Sequence, residues 1–293
     1  MSSLIKKIRT FFKVNFIKKY STDLKKYSDE EYNQRLFKIT FGRKGDFKNP
    51  KTFNEHVIAL KLYADESGFE RYTDKYEVRE YVKSVVGEKY LNEVIAVYDT
   101  AEDIDFSVLP ESFVLKATHG SGFNVIVREK SAINESEVKS RFKTWLSRNY
   151  YFVGRERNYK NIVPRIVCEK FLDTADGKPL NEVKLFCIDG KVKLISDNRV
   201  YNGVRCDNLY DEKKVKLDLR WGMPNHTYDL PDNIDEMISV AEKLAKQFRF
   251  VRVDLYDLGG RIIFSELTFH SGGGLVPFSP KEWDEKLGKL FDK

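Results

Sequence analysis

The segment VRVDLYDLGGRIIFSELTFHSGGG, which begins at Val251, constrains the fold more than any other part of the chain. Two runs with alternating apolar residues flank a glycine pair, which is the pattern of two antiparallel strands joined by a tight turn. A purely structural hairpin needs glycines at its turn, but it does not need the charged residues that both strands carry. The sequence therefore predicts a β-hairpin that does more than complete a sheet.

The register of this hairpin decides which of its charges share a face. A three-residue loop at 258–260, which we expect, pairs Arg252 with Glu266. The residues that then share one face are Arg252, Asp254, Glu266 and Thr268. A two-residue loop would instead shift the register by one and place the acids on opposite faces.

Two carboxylates on one sheet face repel each other unless a positive charge lies between them. Mg²⁺ suits that position, because it commonly binds one or two carboxylates together with nucleotide phosphates. The pattern therefore predicts Asp254 and Glu266 as metal ligands, with Arg252 beside them to stabilise a transferred phosphoryl group. The alternative is a set of ordinary salt bridges on a surface hairpin.

A second glycine-rich hairpin is predicted by FVLKATHGSGFNVIV, in which Lys116 ends an apolar strand. The turn Gly120-Ser121-Gly122 would let backbone N–H groups approach phosphate oxygens, while the lysine supplies a positive charge. The spacing fits neither a P-loop nor a GxGxxG fingerprint. A simple turn that needs glycine for its backbone conformation remains the alternative.

The segment CEKFLDTADGKPLNEVKLF predicts a third contact with a nucleotide. The backbone at 170–172 could hydrogen-bond an adenine, and Glu182 could hold ribose hydroxyls. Lys184 shares the face of Glu182. A strand with one solvated, charged face is the alternative.

The remaining pattern predicts an α+β chain without repeats. Helices are predicted after Thr52, after Asp74 and after Asn134, the first and last with a glutamate at the capping-box position. One β layer is centred near residue 120 and a second spans 165–270. We expect a basic amphipathic segment at 1–20, a helical region at 21–72, and two α+β subdomains at 73–164 and 165–293.

Charge and cysteine content narrow the class of protein. The net charge of +6 equals the six basic residues of positions 1–20, so the rest of the chain is neutral on balance and a nucleic-acid-coating role is excluded. The apolar residues of 1–20 predict a helix that either lies on an anionic membrane surface or packs on the body. The odd number of cysteines, without CxxC spacing, and the absence of a signal peptide favour a cytoplasmic protein, with a peripheral contact at the inner face of the plasma membrane.

The order of these motifs resembles the ATP-grasp fold. Beyond that, PKTFNEHVIALKLY, DKYEVREYV, FVLKATHGSG, FVRVDLYD and FSELTFHSGGGLVPFSPKEWDEKLG resemble the TupA-like ATP-grasp family of cell-surface polysaccharide clusters, from about residue 30 to residue 291. The resemblance implies an ATP- and Mg²⁺-dependent carboxylate–amine ligase in which two α+β subdomains clamp ATP. Its substrates would be a uronic acid of a capsule, O-antigen or related glycan, and an amino acid or other amine.

The resemblance also implies roles for individual residues. Lys75 and Lys116 would bind phosphates beneath the loop Gly120, Ser121 and Gly122, and Lys184 would lie near them. The adenine hinge would be Glu169, Lys170, Phe171 and Leu172, with Glu182 at the ribose. The metal ligands would be Asp254, Glu266 and Thr268, and Arg252 would stabilise the acyl phosphate.

Three positions depart from the pattern of the family. Thr268 stands where such ligases often have asparagine, which weakens a second metal site. Asn54-Glu55-His56 replaces Asn-Glu-Lys, and Glu182-Val183-Lys184 replaces Asp-Tyr-Lys. Each of these departures leaves the groups that the chemistry requires.

Two histidines and one acidic pair allow alternative functional interpretations. His119 and His270 lie beside the glycine loops and are candidates for positioning or proton transfer, or are structural. Asp103-Ile104-Asp105 fits the metal motif of a glycosyltransferase in form only. A sugar kinase on the same fold and a binding module without catalysis are two more hypotheses that the sequence allows.

Overall fold

The computed structural model describes residues 26–174 and 180–292. The predicted amphipathic segment at 1–20 and its membrane contact lie outside the described residues. Within the described part of the chain, every helix is too short or too polar to span a bilayer.

Helices and strands alternate irregularly along the described ranges. The helices are α1 (Asp29–Phe41), α2 (Phe53–Tyr63), α3 (Glu70–Thr73), α4 (Val78–Val85), α5 (Glu135–Leu146), α6 (Tyr151–Gly154), α7 (Ile234–Ala245) and α8 (Trp283–Gly288). The strands are β1 (Val94–Tyr98), β2 (Phe113–Ala117), β3 (Asn124–Val127), β4 (Ile166–Lys170), β5 (Asn181–Ile188), β6 (Lys191–Tyr201), β7 (Val204–Asp211), β8 (Arg220–Trp221), β9 (Phe250–Leu258), β10 (Arg261–Thr268) and β11 (Phe278–Ser279).

The helix starts predicted after Thr52 and Asn134 are confirmed, whereas the helix predicted after Asp74 begins only at Val78, with Glu77 as its N-cap. Thr52 and Glu55 form a reciprocal capping box at α2, and the side chain of Asn134 accepts a hydrogen bond from the backbone N–H of Glu137 at α5. Asp74 accepts hydrogen bonds from the backbone N–H groups of Tyr76 and Glu77, 2.8 and 2.9 Å away, just ahead of α4. The contacts of Thr52 and Asn134 satisfy N–H groups that the first turn of a helix leaves without a partner, and those of Asp74 hold the turn that leads into α4.

The first sheet has the strand order β1-β4-β2-β3, and its neighbouring strands are antiparallel. Phe113 and Leu115 of β2 are fully buried against Phe142 of α5. Burial of side chains of this size contributes about 1.5–3 kcal/mol each. The sequence placed 166–170 in the second β layer, and this was wrong. The strand β4 lies between β1 and β2, because its near-continuous apolar run suits a central strand.

The second sheet has the order β10-β9-β5-β6-β7, again antiparallel. Its two faces differ in character. One face packs against α7, where Leu185 and Val253 meet Met237. On the opposite face Phe186 contacts Phe53 of α2, with ring centroids 6.0 Å apart. Ile188, Leu194, Leu209 and Phe250 join the same apolar cluster, and the charged residues that the sequence singled out lie farther along this face.

Candidate active site

The C-terminal hairpin differs from its prediction in two ways that compensate for each other. Its loop has two residues, because Leu258 pairs with Arg261, so the predicted three-residue loop is wrong. A β-bulge between Phe264 and Glu266 then shifts the register by one residue, so that Glu266 lies directly opposite Asp254. The two acids therefore share a face as predicted, but because of the bulge rather than the loop. The predicted pairing of Arg252 with Glu266 is wrong, since Thr268 lies opposite Arg252.

Arg252 is the centre of the polar cluster on this face. Its Nε and Nη2 donate to the two carboxylate oxygens of Asp254 at 2.6 and 2.5 Å, and its Nη1 donates to Oγ of Ser271 at 3.0 Å. Nη2 also lies 3.0 Å from Oγ1 of Thr268 and 3.4 Å from Oε1 of Glu266. Burial alone would lower the pKa of Arg252, but the charges of Asp254 and Glu266 raise it well above its ordinary value.

Lys184 extends the cluster onto β5, where it pairs with Asp254 in the ladder. Its Nζ lies 3.2 Å from Oδ2 of Asp254 and 2.8 Å from Oε2 of Glu182. Burial opposes a positive charge here, but the neighbouring carboxylates outweigh it, so the pKa of Lys184 is raised. Glu182 and Lys184, which were predicted to share a face, are thus in direct contact.

Lys75 joins the first sheet to this cluster. Its backbone N–H donates to the carbonyl oxygen of Thr118 at the end of β2, 3.2 Å away. Its Nζ reaches Oε2 of Glu266 at 3.7 Å. Burial would raise the pKa of Glu266, but Lys75, Arg252 and Lys184 together lower it to about 2.

The glycine-rich turn between β2 and β3 is packed against aromatic side chains. A Cβ on Gly120 would lie 2.7 Å from the ring of Phe123 and 2.9 Å from the ring of Tyr150. Gly122 adopts a left-handed conformation with φ of +75°. Burial raises the pKa of the Tyr150 hydroxyl to about 12, although Ser121 of the turn opposes the shift.

Lys116 forms an ion pair with Glu169 across the first sheet, with 2.8 Å between Nζ and Oε2. The side-chain amide of Asn92 lies 3.3 Å from the same oxygen. Burial would raise the pKa of Glu169, but Lys116 outweighs it and the pKa is lowered. The carboxylate of Glu169 therefore orients a lysine predicted to bind phosphate.

The predicted adenine hinge lies at the end of β4. The backbone of Lys170 is engaged within the sheet, since its N–H donates to Glu93 and its carbonyl accepts from Asn92. Phe171 and Leu172 follow at half-buried positions, with the guanidinium of Arg128 4.9 Å from the centre of the Phe171 ring. An adenine at this edge would have to contact the backbone after Lys170.

The two histidines lie in different surroundings, and both are buried. Nε2 of His119 is 3.0 Å from the carbonyl oxygen of Trp145, and burial lowers the pKa of this imidazole. Nε2 of His270 is 2.6 Å from Oε1 of Glu66, and its Nδ1 is 3.5 Å from Oε2 of Glu156. Burial opposes the charge of His270, but the two glutamates outweigh it and raise its pKa. His119 therefore caps the end of a helix, while His270 is part of a charged cluster.

The donor set fits a magnesium-bound triphosphate. Four cations form ion pairs with carboxylates: Lys75, Lys116, Lys184 and Arg252. Phosphate oxygens could replace these carboxylates as partners. Two facing carboxylates supply the hard oxygen ligands that Mg²⁺ prefers. Thr268 fits less well as a ligand, because its hydroxyl accepts from Arg252 and donates to Glu266, 3.0 Å from each.

Three charged residues of this region were not predicted from the sequence. Glu66 and Glu156 contact His270, Lys61 donates to the carbonyl oxygen of Gly273, and each of the three has a largely buried side chain. Lys61 was open to prediction, because it follows Phe53 and Val57 at intervals of four on the buried face of α2. The sequences around Glu66 and Glu156 carry no such signal.

The acidic pair of the glycosyltransferase alternative lies in a surface turn. Asp103 accepts hydrogen bonds from the backbone and hydroxyl of Thr100 at 3.0 and 2.8 Å. Asp105 accepts from the backbone N–H of Ser107 at 2.9 Å, and Ile104 between them is buried. Both carboxylates thus hold local turns, and the geometry gives no support to a metal motif here.

Comparison with protein families gives one match over most of the chain. A family model described as TupA-like ATPgrasp matches residues 55–292. None of the curated proteins compared with the chain matches it.

Solved structures share part of the architecture at low identity. D-alanine–D-alanine ligase from Bacillus anthracis, complexed with ATP, is 15% identical with a TM-score of 0.41, over 78% of this chain and 64% of the ligase. The ADP complex of N5-carboxyaminoimidazole ribonucleotide synthetase is 14% identical with a TM-score of 0.41, over 68% of this chain and 45% of the synthetase. The ATP-grasp ligase PsnB, complexed with minimal precursor, is 10% identical with a TM-score of 0.38, over 74% of this chain and 61% of that one. The chain thus spans less than two thirds of each of these proteins.

Proposed function

The chain belongs to the TupA-like ATP-grasp family, and on that premise we propose that it is an ADP-forming carboxylate–amine ligase. Its α+β architecture, with a helical region ahead of two sheets, is the ATP-grasp fold predicted from the sequence. In the proposed reaction a carboxylate attacks the γ-phosphate of ATP and gives an acyl phosphate and ADP. An amine then attacks the acyl carbon, phosphate leaves, and an amide forms.

One observation carries the proposal: charges of opposite sign alternate across three adjacent strands and onto the first subdomain. The order is Lys184, Asp254, Arg252, Glu266 and Lys75, with neighbouring charged atoms 2.5–3.7 Å apart. Burying charges is expensive, and a purely structural core of this size could be apolar. Such a row supports a site where a triphosphate and its metal take over as partners of these groups.

Within the proposed reaction each group has a simple electrostatic task. Bound Mg²⁺ would neutralise charge on the transferred phosphoryl group, with Asp254 and Glu266 as its protein ligands. Arg252 would stabilise the same group, because its guanidinium already lies between those carboxylates. Lys75 and Lys116 would hold phosphates from the side of the first sheet.

The remaining predicted contacts concern the nucleoside and the covering loop. The turn 120–122 would close over the phosphates, and the backbone at 171–172 would meet the adenine. Glu182 would bind the ribose, since it lies beside Lys184 on β5. We also propose that the subdomain boundary lies after β4 rather than at 164/165, because β4 completes the first sheet.

Family membership suggests the substrates. We propose a uronic-acid carboxylate of a capsule, O-antigen or other cell-surface polysaccharide and an amino acid or other amine. Such glycans grow on lipid carriers at the inner face of the plasma membrane. A cytoplasmic enzyme whose basic segment at 1–20 contacts that surface would suit this task.

The experiment is incubation with ATP, Mg²⁺, acceptors that contain glucuronate or galacturonate, and a pool of amino acids, with products identified by mass. A gain equal to one amino acid minus water, with stoichiometric ADP, is the expected result. A gain of one phosphate would identify a sugar kinase, and a gain of one hexose from an added nucleotide sugar would identify a glycosyltransferase. Stabilisation by Mg-ATP without ADP release from any pair would identify a binding module.

A further inference from the structure

A cluster of buried charges lies next to Ser271, a hydrogen-bond partner of Arg252. It consists of Lys61 on α2, Glu66 after α2, Glu156 after α6, and His270 after β10. His270 bridges the two acids, at 2.6 Å from Glu66 and 3.5 Å from Glu156. Nζ of Lys61 donates to the carbonyl oxygen of Gly273 at 2.9 Å. Three separate segments of the chain thus bring ionisable groups to one place.

This cluster is adjacent to the proposed phosphoryl-transfer site. Ser271, next to His270, accepts a hydrogen bond from Nη1 of Arg252 at 3.0 Å. Burial, and then the charges of Glu156 and Glu266, raise the pKa of Tyr159 well above the ordinary value. Through Ser271 and His270, a group bound against Glu156 would be connected to Arg252, where the acyl phosphate is proposed to form.

Glu66 has an oxygen whose partner is missing. Its side chain is only 5% exposed, and Oε2 is buried without a hydrogen-bond partner in the described parts of the chain. A buried carboxylate oxygen in this condition carries a desolvation penalty that a donor would remove. Within the described residues no group of three or more His, Cys, Asp or Glu side chains could hold a metal ion, so a hydrogen-bond donor suits the place better.

The carboxylates of the two sides differ in their partners. On the nucleotide side each carboxylate contacts a lysine or an arginine, namely Lys75, Lys116, Lys184 or Arg252. On the other side, Glu66 and Glu156 share the imidazole of His270, while Lys61, whose pKa burial lowers to about 8, donates to a backbone carbonyl. The side chain of Glu156 is 16% exposed, so the acidic side can be reached from solvent.

We propose that Glu66 and Glu156 form the subsite that binds the ammonium group of the amine substrate. The inference rests on the proposed ligase function, and it adds the place and the chemical class of the second substrate: a primary amine that binds in its protonated form. The ammonium would donate to Oε2 of Glu66 and to the carboxylate of Glu156, and it would pass one proton to Glu156 before the free amine attacks the acyl carbon. The departing phosphate would take the second proton as the amide forms. The acyl phosphate would be held beside Arg252, among Lys75 and Lys184.

The test uses the full-length protein and its Glu66→Gln and Glu156→Gln variants, which keep side-chain size and remove one negative charge. The matched control is Glu137→Gln, because Glu137 is exposed on α5 and its carboxylate pairs with Arg141 in the next turn, away from the cluster. Two assays are compared at saturating Mg-ATP and carboxylate. One measures the amide formed with the amino acid found by mass, and the other measures the hydroxamate formed when hydroxylamine traps the acyl phosphate.

Hydroxylamine reports formation of the acyl phosphate independently of amine binding. It is small and uncharged near neutral pH, so it does not need an ammonium site. We expect each variant to raise KM for the amino acid roughly 10- to 100-fold, the effect of losing a charge-assisted hydrogen bond. Hydroxamate formation and KM for ATP should stay within about two-fold of the wild-type values, as should every parameter of Glu137→Gln. Glu156→Asp, which restores the charge, should recover part of the affinity.

Equal losses of hydroxamate and amide in the glutamine variants would overturn the proposal, and so would an unchanged KM for the amino acid. If Glu66→Gln does not fold, Glu156→Gln decides, because its partly exposed side chain makes a longer contact. If the wild type forms neither hydroxamate nor ADP, the ligase proposal fails on its own, and calorimetry with ethylammonium chloride then decides the subsite. Binding to the wild type that is lost in Glu156→Gln, with none for tetramethylammonium, would keep an amine site; equal binding to both proteins would overturn it.

Discussion

Asp254 and Glu266 stand opposite each other on β9 and β10, and Nη2 of Arg252 contacts both carboxylates, at 2.5 and 3.4 Å. A single guanidinium therefore offsets the repulsion between two acids that are proposed to share a metal. The two differ in exposure, since the Asp254 side chain is fully buried and that of Glu266 is 32% exposed. Substituting each acid in turn should therefore distinguish its effect on the free energy of unfolding from its effect on metal binding.

Asp254→Asn should destabilise the fold by about 3 kcal/mol, because it leaves Arg252 and Lys184 as buried cations without their shared partner. Glu266→Gln should lower the free energy of unfolding by less than about 1 kcal/mol, since solvent screens the exposed carboxylate. Both should abolish the gain in Tm caused by Mg-ATP over ATP with chelator. Urea unfolding and thermal shift measure the two effects, and a normal Mg-ATP response in either variant would contradict the assignment of ligands.

The pair of Lys116 and Glu169 gives a second prediction. Lys116→Met should raise KM for ATP at least ten-fold, since it removes a phosphate contact, and Glu169→Gln should raise it only a few-fold by releasing the lysine. The coupling between the two substitutions should be about 1–2 kcal/mol in a double-mutant cycle on unfolding free energy. Additive effects on stability, with equal effects on KM, would mean that the ion pair does not orient the lysine.

The glycines of the predicted phosphate loop have different tasks. Gly120→Ala places a methyl group within 3 Å of Phe123 and Tyr150, so we expect about 1–3 kcal/mol of destabilisation and a weaker affinity for ATP. Gly122→Ala meets no atom within 4 Å but requires φ of +75°, so about 1 kcal/mol is expected from the backbone alone. Calorimetry with ATP and urea unfolding compare the two variants. An equal loss of ATP affinity in both would contradict a loop that is positioned through Tyr150.

The sequence predicted the hairpin and its shared acidic face, but for a partly wrong reason. Alternation gives the face of each strand, whereas the register depends on loop length and on any extra residue in a strand. The bulge near Ser265 has no composition signal, because serine fits a regular strand as well as a bulged one. The two deviations together keep both acids on one face, but Glu266 lies opposite Asp254 and not opposite Arg252 as predicted.

Residues that meet only in three dimensions were beyond sequence reasoning. Glu66 and Glu156 lie in connecting segments 90 positions apart and come together at His270, so no local period marks them. The strand β4 was assigned to the wrong sheet because sequence order does not fix which strand is its neighbour. Helix starts such as Thr52 and Asn134 were predicted correctly, since capping depends on residues three positions apart.

His119 lies beside the glycine-rich loop, but its contacts indicate a structural role rather than a catalytic one. Its Nε2 faces the carbonyl oxygen of Trp145, and burial lowers its pKa, so a neutral imidazole that donates to this carbonyl explains its position. His119→Gln should therefore lower the free energy of unfolding by about 1 kcal/mol and leave kcat within two-fold. A pH–rate profile that loses one limb in this variant would restore the catalytic assignment.

Asp207 should make the stability of the fold depend on pH. Its side chain is 1% exposed, and Oδ1 accepts hydrogen bonds from Ser196 at 2.8 Å and Asn198 at 3.0 Å. Burial raises the pKa of Asp207 to about 7, against an ordinary value of 3.8, although the hydrogen bond from Ser196 and the charge of Lys184 oppose the shift. The folded state therefore holds this proton more tightly than the unfolded state, and stability falls as pH rises between these two values.

Asp207→Asn keeps the acceptor oxygen and removes the ionisable group. The free energy of unfolding of the variant should therefore rise relative to that of the wild type as pH rises. We expect the difference in unfolding free energy to change by about 2–4 kcal/mol in favour of Asp207→Asn between pH 5 and pH 8. Urea unfolding at both pH values measures it, with the exposed Asp232→Asn as the matched control. Parallel pH curves for the wild type and Asp207→Asn would show that Asp207 is ionised throughout this range and that its surroundings tolerate the buried charge.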